Sequence, residues 1–569
     1  MLSVSKIWNI YPRISKESSQ RLSPFSPLAA QLLHNRGVFD YASARQFLAT
    51  DATQLNDPML LHGMQESTAR LSYAIQNNER IGIFGDFDAD GTTGTALMSR
   101  GLQSLGADVI AYIPHRILEG HGLIKDSIDF FTKEGVTLLI TVDCGTTDVA
   151  EIDYGKTTGI DIIVTDHHLP TSQVGTPFAI INPQLRSSSY PFPNLSGVGL
   201  AFKLIQGLYQ YLEAEWDTNL LQLVAIGTIA DLVPLLGENR YLVAEGLKKL
   251  NTNPLPGLRE LLNNSGLGHS GILDTNSVAF GLGPRINAPG RLDSALISYQ
   301  LLMSQSYDEA YPIARTIEKL NRDRQAITKK SILIADDIIE NTGIANKSLI
   351  MVDSEDFSPG VLGLLASRLV DRYYLPSIAV SIDGPYARGS CRSIPEFNVA
   401  SALTECEDLF IRFGGHSGAA GFLIERDRLD DLRNKLNNIA AAKLSNIDLR
   451  PSLAIDAHVR ISTLAGDNFS FLRELQPFGV KNNDPLFLTK GVEILESGRL
   501  GNRGNNLKLR LRHGGSIWNG VGFGLLDKWD YSWRFVDLVY NFGLETWKGS
   551  HQFRLFVRDI KPSNDQKGT

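Results

Sequence analysis

Cysteine is scarce in this chain: Cys144, Cys391 and Cys406 are the only three among 569 residues, and no C-x-x-C pair occurs. A disulfide framework and a cysteine zinc site are thereby excluded, and a reducing compartment is expected. No apolar run is long enough to span a bilayer, and the opening stretch MLSVSKIWNIYPRISK mixes polar and charged side chains too densely for a secretory signal. The expected setting is the cytoplasm, with no membrane contact. No G-x-x-x-x-G-K-[ST] loop appears, so ATP is not expected as a cofactor. A basic excess is missing too. With a formal charge of −7, any nucleic acid must be held by local basic patches or bound cations. The hydrophobic content of 43% over this length implies several globular domains.

What the chain does have is carboxylate at the ends of apolar runs. In RIGIFGDFDADGTTG, from Arg80 to Gly94, the β-rich residues Ile81, Ile83 and Phe84 lead into Asp86, Asp88 and Asp90. Ionised carboxylates so close repel one another, and a divalent cation with hard oxygen ligands is their natural partner, against the alternative of an acidic surface turn. The D-x-D-x-D-G spacing also opens an EF-hand loop, but that loop needs glutamate at its twelfth position, where this chain has Leu97, and a helix before it.

The same pattern recurs. The runs VIAYIP, TLLITVD and DIIVTD end near His115, at Asp143 and at Asp166, with polar or helix-like segments between them. Near-continuous apolar runs of this kind predict a parallel sheet covered on both faces, with ligands gathering beyond the strands' carboxyl ends. Asp143 ends one strand ahead of Gly145, and Asp166-His167-His168 ends another with two imidazoles suited to a transition ion or to core hydrogen bonds. In QLVAIGTIADLVP, Asp231 closes an apolar helix and needs a partner: a cap, an arginine or a metal.

Taken in order, these four motifs resemble the DHH phosphoesterase superfamily, whose name is the triplet at Asp166 to His168. LSGVGLAFKL at Leu195, GPRINAPGRL at Gly283 and PGVLGLLASRL at Pro359 are similar to the bacterial RecJ family, single-strand-specific exonucleases acting from the 5′ end. The resemblance covers nearly the whole chain. It implies two Mn2+ or Mg2+ ions on Asp88, Asp90, Asp143, His167 and Asp231, with Asp143 bridging and Asp86 completing the first site. His168 is then a phosphate or proton-transfer residue, and His416, in GGHSGAAG, a contact to the scissile phosphate. Arg116, Ser390 and Arg392 are implied as the 5′-phosphate pocket, and Arg285 and Arg291 as contacts to the strand.

The implied fold is multidomain α/β: an N-terminal helical segment (1–75), a DHH domain on a parallel sheet (76–304), a long linking helix (305–342), a DHH-associated α/β domain (343–447), an OB-type β-barrel (448–562) and a tail (563–569). In the barrel, Lys508, Arg510 and Arg512 alternate with leucines, so they form either a solvated strand face or a stripe that follows phosphates. Phe523 and Trp518 are candidate base stackers or core residues. Single-stranded DNA is the expected partner, with a separate helicase and a single-strand-binding protein. The rival readings are a dinucleotide phosphodiesterase, a pyrophosphatase and a non-catalytic strand-holding scaffold; the intact set of acids favours catalysis. Three departures from the family pattern stand out: His121 in place of tyrosine, Ser358 in place of histidine, and VKNNDP after Gly479.

Overall fold

A computed structural model describes residues 5–170, 173–269, 271–344, 347–501, 504–547 and 550–563. The expected tail lies, apart from Ser563, outside the described residues. Among the described residues no helix is long and apolar enough to cross a membrane.

The first lobe is built on five parallel strands in the spatial order Asp108–Tyr112, Arg80–Gly85, Val136–Val142, Asp161–Thr165, Ala179–Ile181. Ile81, Ile83, Leu138, Leu139, Ile140 and Ile163 are fully buried, as an apolar run covered on both faces requires. From Arg80–Gly85 the chain first moves to one side of the sheet and then returns to the other. The ends of Arg80–Gly85 and Val136–Val142 therefore flank the topological switch point, where α/β sheets open a crevice.

The helix Tyr307–Thr342 links the lobes, capped by Ser306 and ended at left-handed Gly343. Ala310, Ala314 and Ile317 near its start belong to the first core, whereas Ala335 and Ile339 near its end belong to the second. The second lobe's sheet runs Phe410–His416, Ala419–Glu425, Tyr386–Arg392, Ser377–Asp383, Ile350–Ser354, antiparallel except for the last pair. The two lobes meet where Arg291 Nη1 donates to the Gly360 carbonyl (3.2 Å) and Arg388 Nη1 to that of Ile117 (3.3 Å).

Five strands close the C-terminal barrel, with Phe487–Arg499 pairing both Leu507–His513 and Phe535–Trp547. Here the structure differs from the expected N-terminal helical segment. Strand Ile7–Ile10 pairs in parallel with Ser452–Ile455, and Leu22, Leu28, Leu32 and Leu33 share the barrel's core, while helix Met64–Gln76 packs in the first lobe. Buried Arg240 ties that lobe to the barrel by donating to the carbonyls of Leu475 (2.8 Å) and Glu474 (2.6 Å), which face it from the end of helix Asp467–Glu474.

Candidate metal centre and phosphate pocket

Three neighbouring strands of the first sheet each end in aspartate: Asp86 follows Arg80–Gly85, Asp143 follows Val136–Val142 and Asp166 follows Asp161–Thr165. Adjacent strands lie about 4.8 Å apart, so the carboxylates are brought to that spacing by the sheet itself. Each residue extends the ladder by one bond, its N–H donating to the carbonyl of Val142, Thr165 or Ile181. Asp143 holds a left-handed backbone (φ 65°), an unusual state for a non-glycine residue.

The neighbouring helices fix the rest. Asp88 caps helix Ala89–Ser104, its Oδ1 accepting from the N–H groups of Asp90 (2.9 Å) and Gly91 (3.1 Å). Asp90 is clamped at the start of helix Gly197–Tyr211, its two oxygens accepting from Gly197 N–H (2.7 Å) and Val198 N–H (2.9 Å). Gly197 also leaves room for Asp143, since a Cβ there would lie 2.5 Å from that of Asp143. Asp231 ends helix Leu221–Ala230, at the negative pole of the helix dipole, which disfavours its charge.

These side chains converge into three overlapping groups whose ligand atoms lie within 4.8 Å of one another: Asp86, Asp88 and Asp143; Asp90, His167 and Asp231; and Asp143, His167 and His168. His167 Nε2 stands 3.0 Å from Asp143 Oδ1 and 3.6 Å from Asp231 Oδ2. Despite that proximity, Asp143 Oδ1 and His167 Nε2 are buried without an aligned hydrogen bond. Two orphaned polar atoms facing each other amid carboxylates are what a cation would satisfy, so this donor set fits a pair of divalent ions.

The electrostatics agree. Burial, reinforced by the charges of Asp86 and Asp90, pushes Asp88 up to about 6. Asp90 rises to about 6 through burial, against the pull of its two N–H donors. Burial and then the charges of Asp90, Asp88 and Asp86 push Asp231 up to about 9 and Asp143 well above the carboxylate range. His167 falls to about 4, chiefly through burial and then the charge of His168, which leaves a neutral imidazole fit for a metal.

Sequence reasoning gave Asp166 no role of its own. In the structure its Oδ2 accepts from Thr146 N–H (3.0 Å) and its Oδ1 lies 2.8 Å from His168 Nδ1, so it aims His168 and does not join the ion site. His121 was noted only as a departure, yet its Nδ1 lies 3.0 Å from Asp86 Oδ1. Burial opposes its charge, but the bond to Asp86 and that residue's charge push it up to about 9. Only the fold brings these two residues together.

Beside the acids lies a pocket of the opposite sign. Arg116 stacks on Phe87 (4.7 Å), and Arg392 Nη1 lies 3.4 Å from Ser390 Oγ. A Cβ on Gly363, in the first turn of helix Leu362–Tyr373, would meet Arg392 Nη2 at 2.8 Å. Burial and then the charges of Arg116, Arg324 and Arg392 push Arg291 down to about 9. Among the described residues no carboxylate lies within ion-pair distance of Arg116, Arg291 or Arg392. Cations gathered without a counter-ion make an anion site.

Other expected contacts are placed differently. Arg285 Nε donates to Glu318 Oε2 (2.7 Å), fixing its helix to the linking helix. His416 is exposed at the sheet edge, its Nδ1 accepting from Gly418 N–H (3.3 Å), with no hydrogen bond or ion pair to the acids among the described residues. Lys508, Arg510 and Arg512 alternate outward as expected, but Arg510 pairs with Glu496 (2.6 Å) and Arg512 with Glu493 (3.1 Å), so the stripe is a mixed ladder. Trp518 is partly buried against the barrel core, whereas Phe523 is exposed.

Comparison with known proteins bears on the family and the fold. The model of the DHH family N-terminal domain matches residues 80–228, that of the DHHA1 domain 344–442 and that of the RecJ OB domain 455–559. The single-stranded-DNA-specific exonuclease RecJ of Salmonella typhimurium is 32% identical over 574 residues, covering 97% of this chain and 98% of that protein. This chain belongs to the RecJ family. The RecJ of Bacillus subtilis is 37% identical over 545 residues, 95% of this chain and 69% of its own. RecJ from Thermus thermophilus, crystallised with Mn2+, superposes with a TM-score of 0.84 at 28% identity, covering 98% of this chain and 80% of that one.

Proposed function

We propose that the chain is a divalent-metal-dependent exonuclease that hydrolyses single-stranded DNA from the 5′ end, in DNA repair and recombination. The observation that carries this reading is the juxtaposition of a carboxylate and imidazole cluster holding orphaned donor atoms with an arginine pocket lacking carboxylates. In this reading Asp88, Asp90, Asp143, His167 and Asp231 would hold two ions, Mn2+ or Mg2+, with Asp86 beside them. Bound there, the ions lower the pKa of water and offset the charge gathering on the phosphoryl oxygens. Asp166 keeps His168 Nδ1 occupied, so its Nε2 is left to donate to a phosphoryl oxygen. Arg116, Ser390 and Arg392 receive the terminal 5′-phosphate, and buried Arg291 adds to their field.

Polarity follows from where the pocket sits. A phosphate seat next to the ions sets the first internucleotide linkage at the acids, and hydrolysis that leaves phosphate on the shortened strand regenerates the group the pocket binds. The barrel holds the strand further along, where Lys508 has no ion pair among the described residues. Strand separation falls to a separate helicase, and a single-strand-binding protein is the proposed partner on the DNA.

With Mn2+, single strands labelled at either end should release label as mononucleotide from the 5′ end first, while duplex is spared and short dinucleotides are poor substrates. Release from the 3′ end first, or a preference for dinucleotides, contradicts the proposal. Asp166→Asn is expected to lower kcat by about 10–100-fold with Mn2+ content unchanged, as for a group that orients another. An unchanged kcat would deny Asp166 that role.

A further inference from the structure

The register of the second lobe's sheet extends the arginine pocket in one direction. Along Tyr386–Arg392, Ala387, Gly389 and Cys391 are buried while Arg388, Ser390 and Arg392 share the other, half-buried face. Leu423 pairs with both Arg388 and Arg412, and Gly421 with both Ser390 and Gly414. Two rows thus lie side by side on this face: Ser390, Gly421 and Gly414, then Arg388, Leu423 and Arg412. A cavity of about 280 Å³ lies over them, its lining including Arg388, Arg412, Gly414, Gly421 and Leu423.

The two glycines leave the floor of that cavity flat, and an arginine stands at each end of the second row. Among the described residues neither Arg388 nor Arg412 has a carboxylate within ion-pair distance. Arg388 lies two residues from Ser390, about 6.7 Å along the strand, on the side away from Arg392. Unneutralised guanidinium groups around an open, glycine-floored recess match a phosphoryl group in charge and in bidentate geometry.

We propose that Arg388 and Arg412 form a second anion subsite, which receives the outer phosphates of a strand bearing a 5′-di- or triphosphate. The terminal-phosphate seat at Ser390 and Arg392 is then not a dead end but the inner part of a longer groove. Ends of this kind begin chains made by a polymerase that starts from a nucleoside triphosphate, and the first product cut from them is a nucleoside 5′-triphosphate. This inference rests on reading Arg116, Ser390 and Arg392 as the seat of the first phosphate.

The test uses the full chain with Mn2+ and one strand sequence carrying a 5′-hydroxyl, monophosphate or triphosphate, scored by kcat/KM and by the identity of the first product. The triphosphate end is expected to be cut at least as efficiently as the monophosphate. Arg412→Ala is the main variant, because Arg412 is exposed on the edge strand; it should lower kcat/KM on the triphosphate end by roughly tenfold or more, as losing a charged hydrogen bond does, and on the monophosphate end less than twofold. Arg388→Ala, which also loses the bond to Ile117, should act in the same direction. Refusal of the triphosphate by the wild type, or equal losses on both ends in Arg412→Ala, overturns the subsite. Equal wild-type rates on hydroxyl and monophosphate ends remove the inner seat, and the extension with it.

Discussion

Asp143→Asn is expected to leave a folded protein whose hydrolysis of single-stranded DNA is slower by more than about a thousandfold, since the proposed ion site would lose a carboxylate common to two of its ligand groups. Asparagine is the informative replacement. It keeps the side chain's shape against Gly197 and tolerates the left-handed backbone that residue 143 adopts, so loss of fold is not the cause. A second readout separates charge from packing: in metal-free buffer the variant should melt at a higher temperature than the wild type at pH 8, because a buried carboxyl that burial and its acidic neighbours make costly to ionise has been replaced by a neutral amide. Retained turnover, or a lower metal-free melting temperature, would contradict the role given to Asp143.

The second large effect is on stability against pH. Asp88 and Asp90 lie at about 6 and Asp231 at about 9 in the folded chain, all above the ordinary carboxylate value, and Asp143 is raised as well. A raised pKa means that the folded state binds the proton more tightly than the unfolded one. The stability it contributes is full below about pH 4 and is lost as pH rises through the folded values. His121, raised to about 9, acts in the same sense above its ordinary value. His167, depressed to about 4, acts in the opposite sense, but it is neutral in both states above about pH 7.5. Between pH 7.5 and 9, the metal-free melting temperature should therefore fall. Mn2+ takes the place of those protons, so the rise in melting temperature on adding it should be greater at pH 9 than at pH 7.5. A metal-free curve that is flat or rising across that interval, with no response to Mn2+, would show that these acids do not form a repelling cluster.

How far the sequence carried the argument depended on how local each signal was. Aspartates closing apolar runs were legible because strand, terminus and side chain lie within a few residues, and a parallel sheet aligns such ends without further information. The linking helix was legible for the same reason. Strand Ile7–Ile10 was not, because its partner Ser452–Ile455 lies near the other end of the chain, and a short polar-flanked run does not name its neighbour. Arg285 looked available until the fold set Glu318 against it, and the basic face of Leu507–His513 looked unopposed until Glu493 and Glu496 appeared on the adjacent strand. Their register there depends on an irregularity between Ile494 and Glu496. Alternation reveals which way a side chain faces, but not which charge the next strand brings beside it.

Anomalous diffraction at the manganese edge, on crystals of the full chain grown with Mn2+, tests the central claim most directly. Two peaks are expected, one among Asp86, Asp88 and Asp143 and one among Asp90, His167 and Asp231, with Asp143 touching both and the arginine pocket free of metal. A single peak elsewhere, or none among these residues at saturating Mn2+, would contradict it.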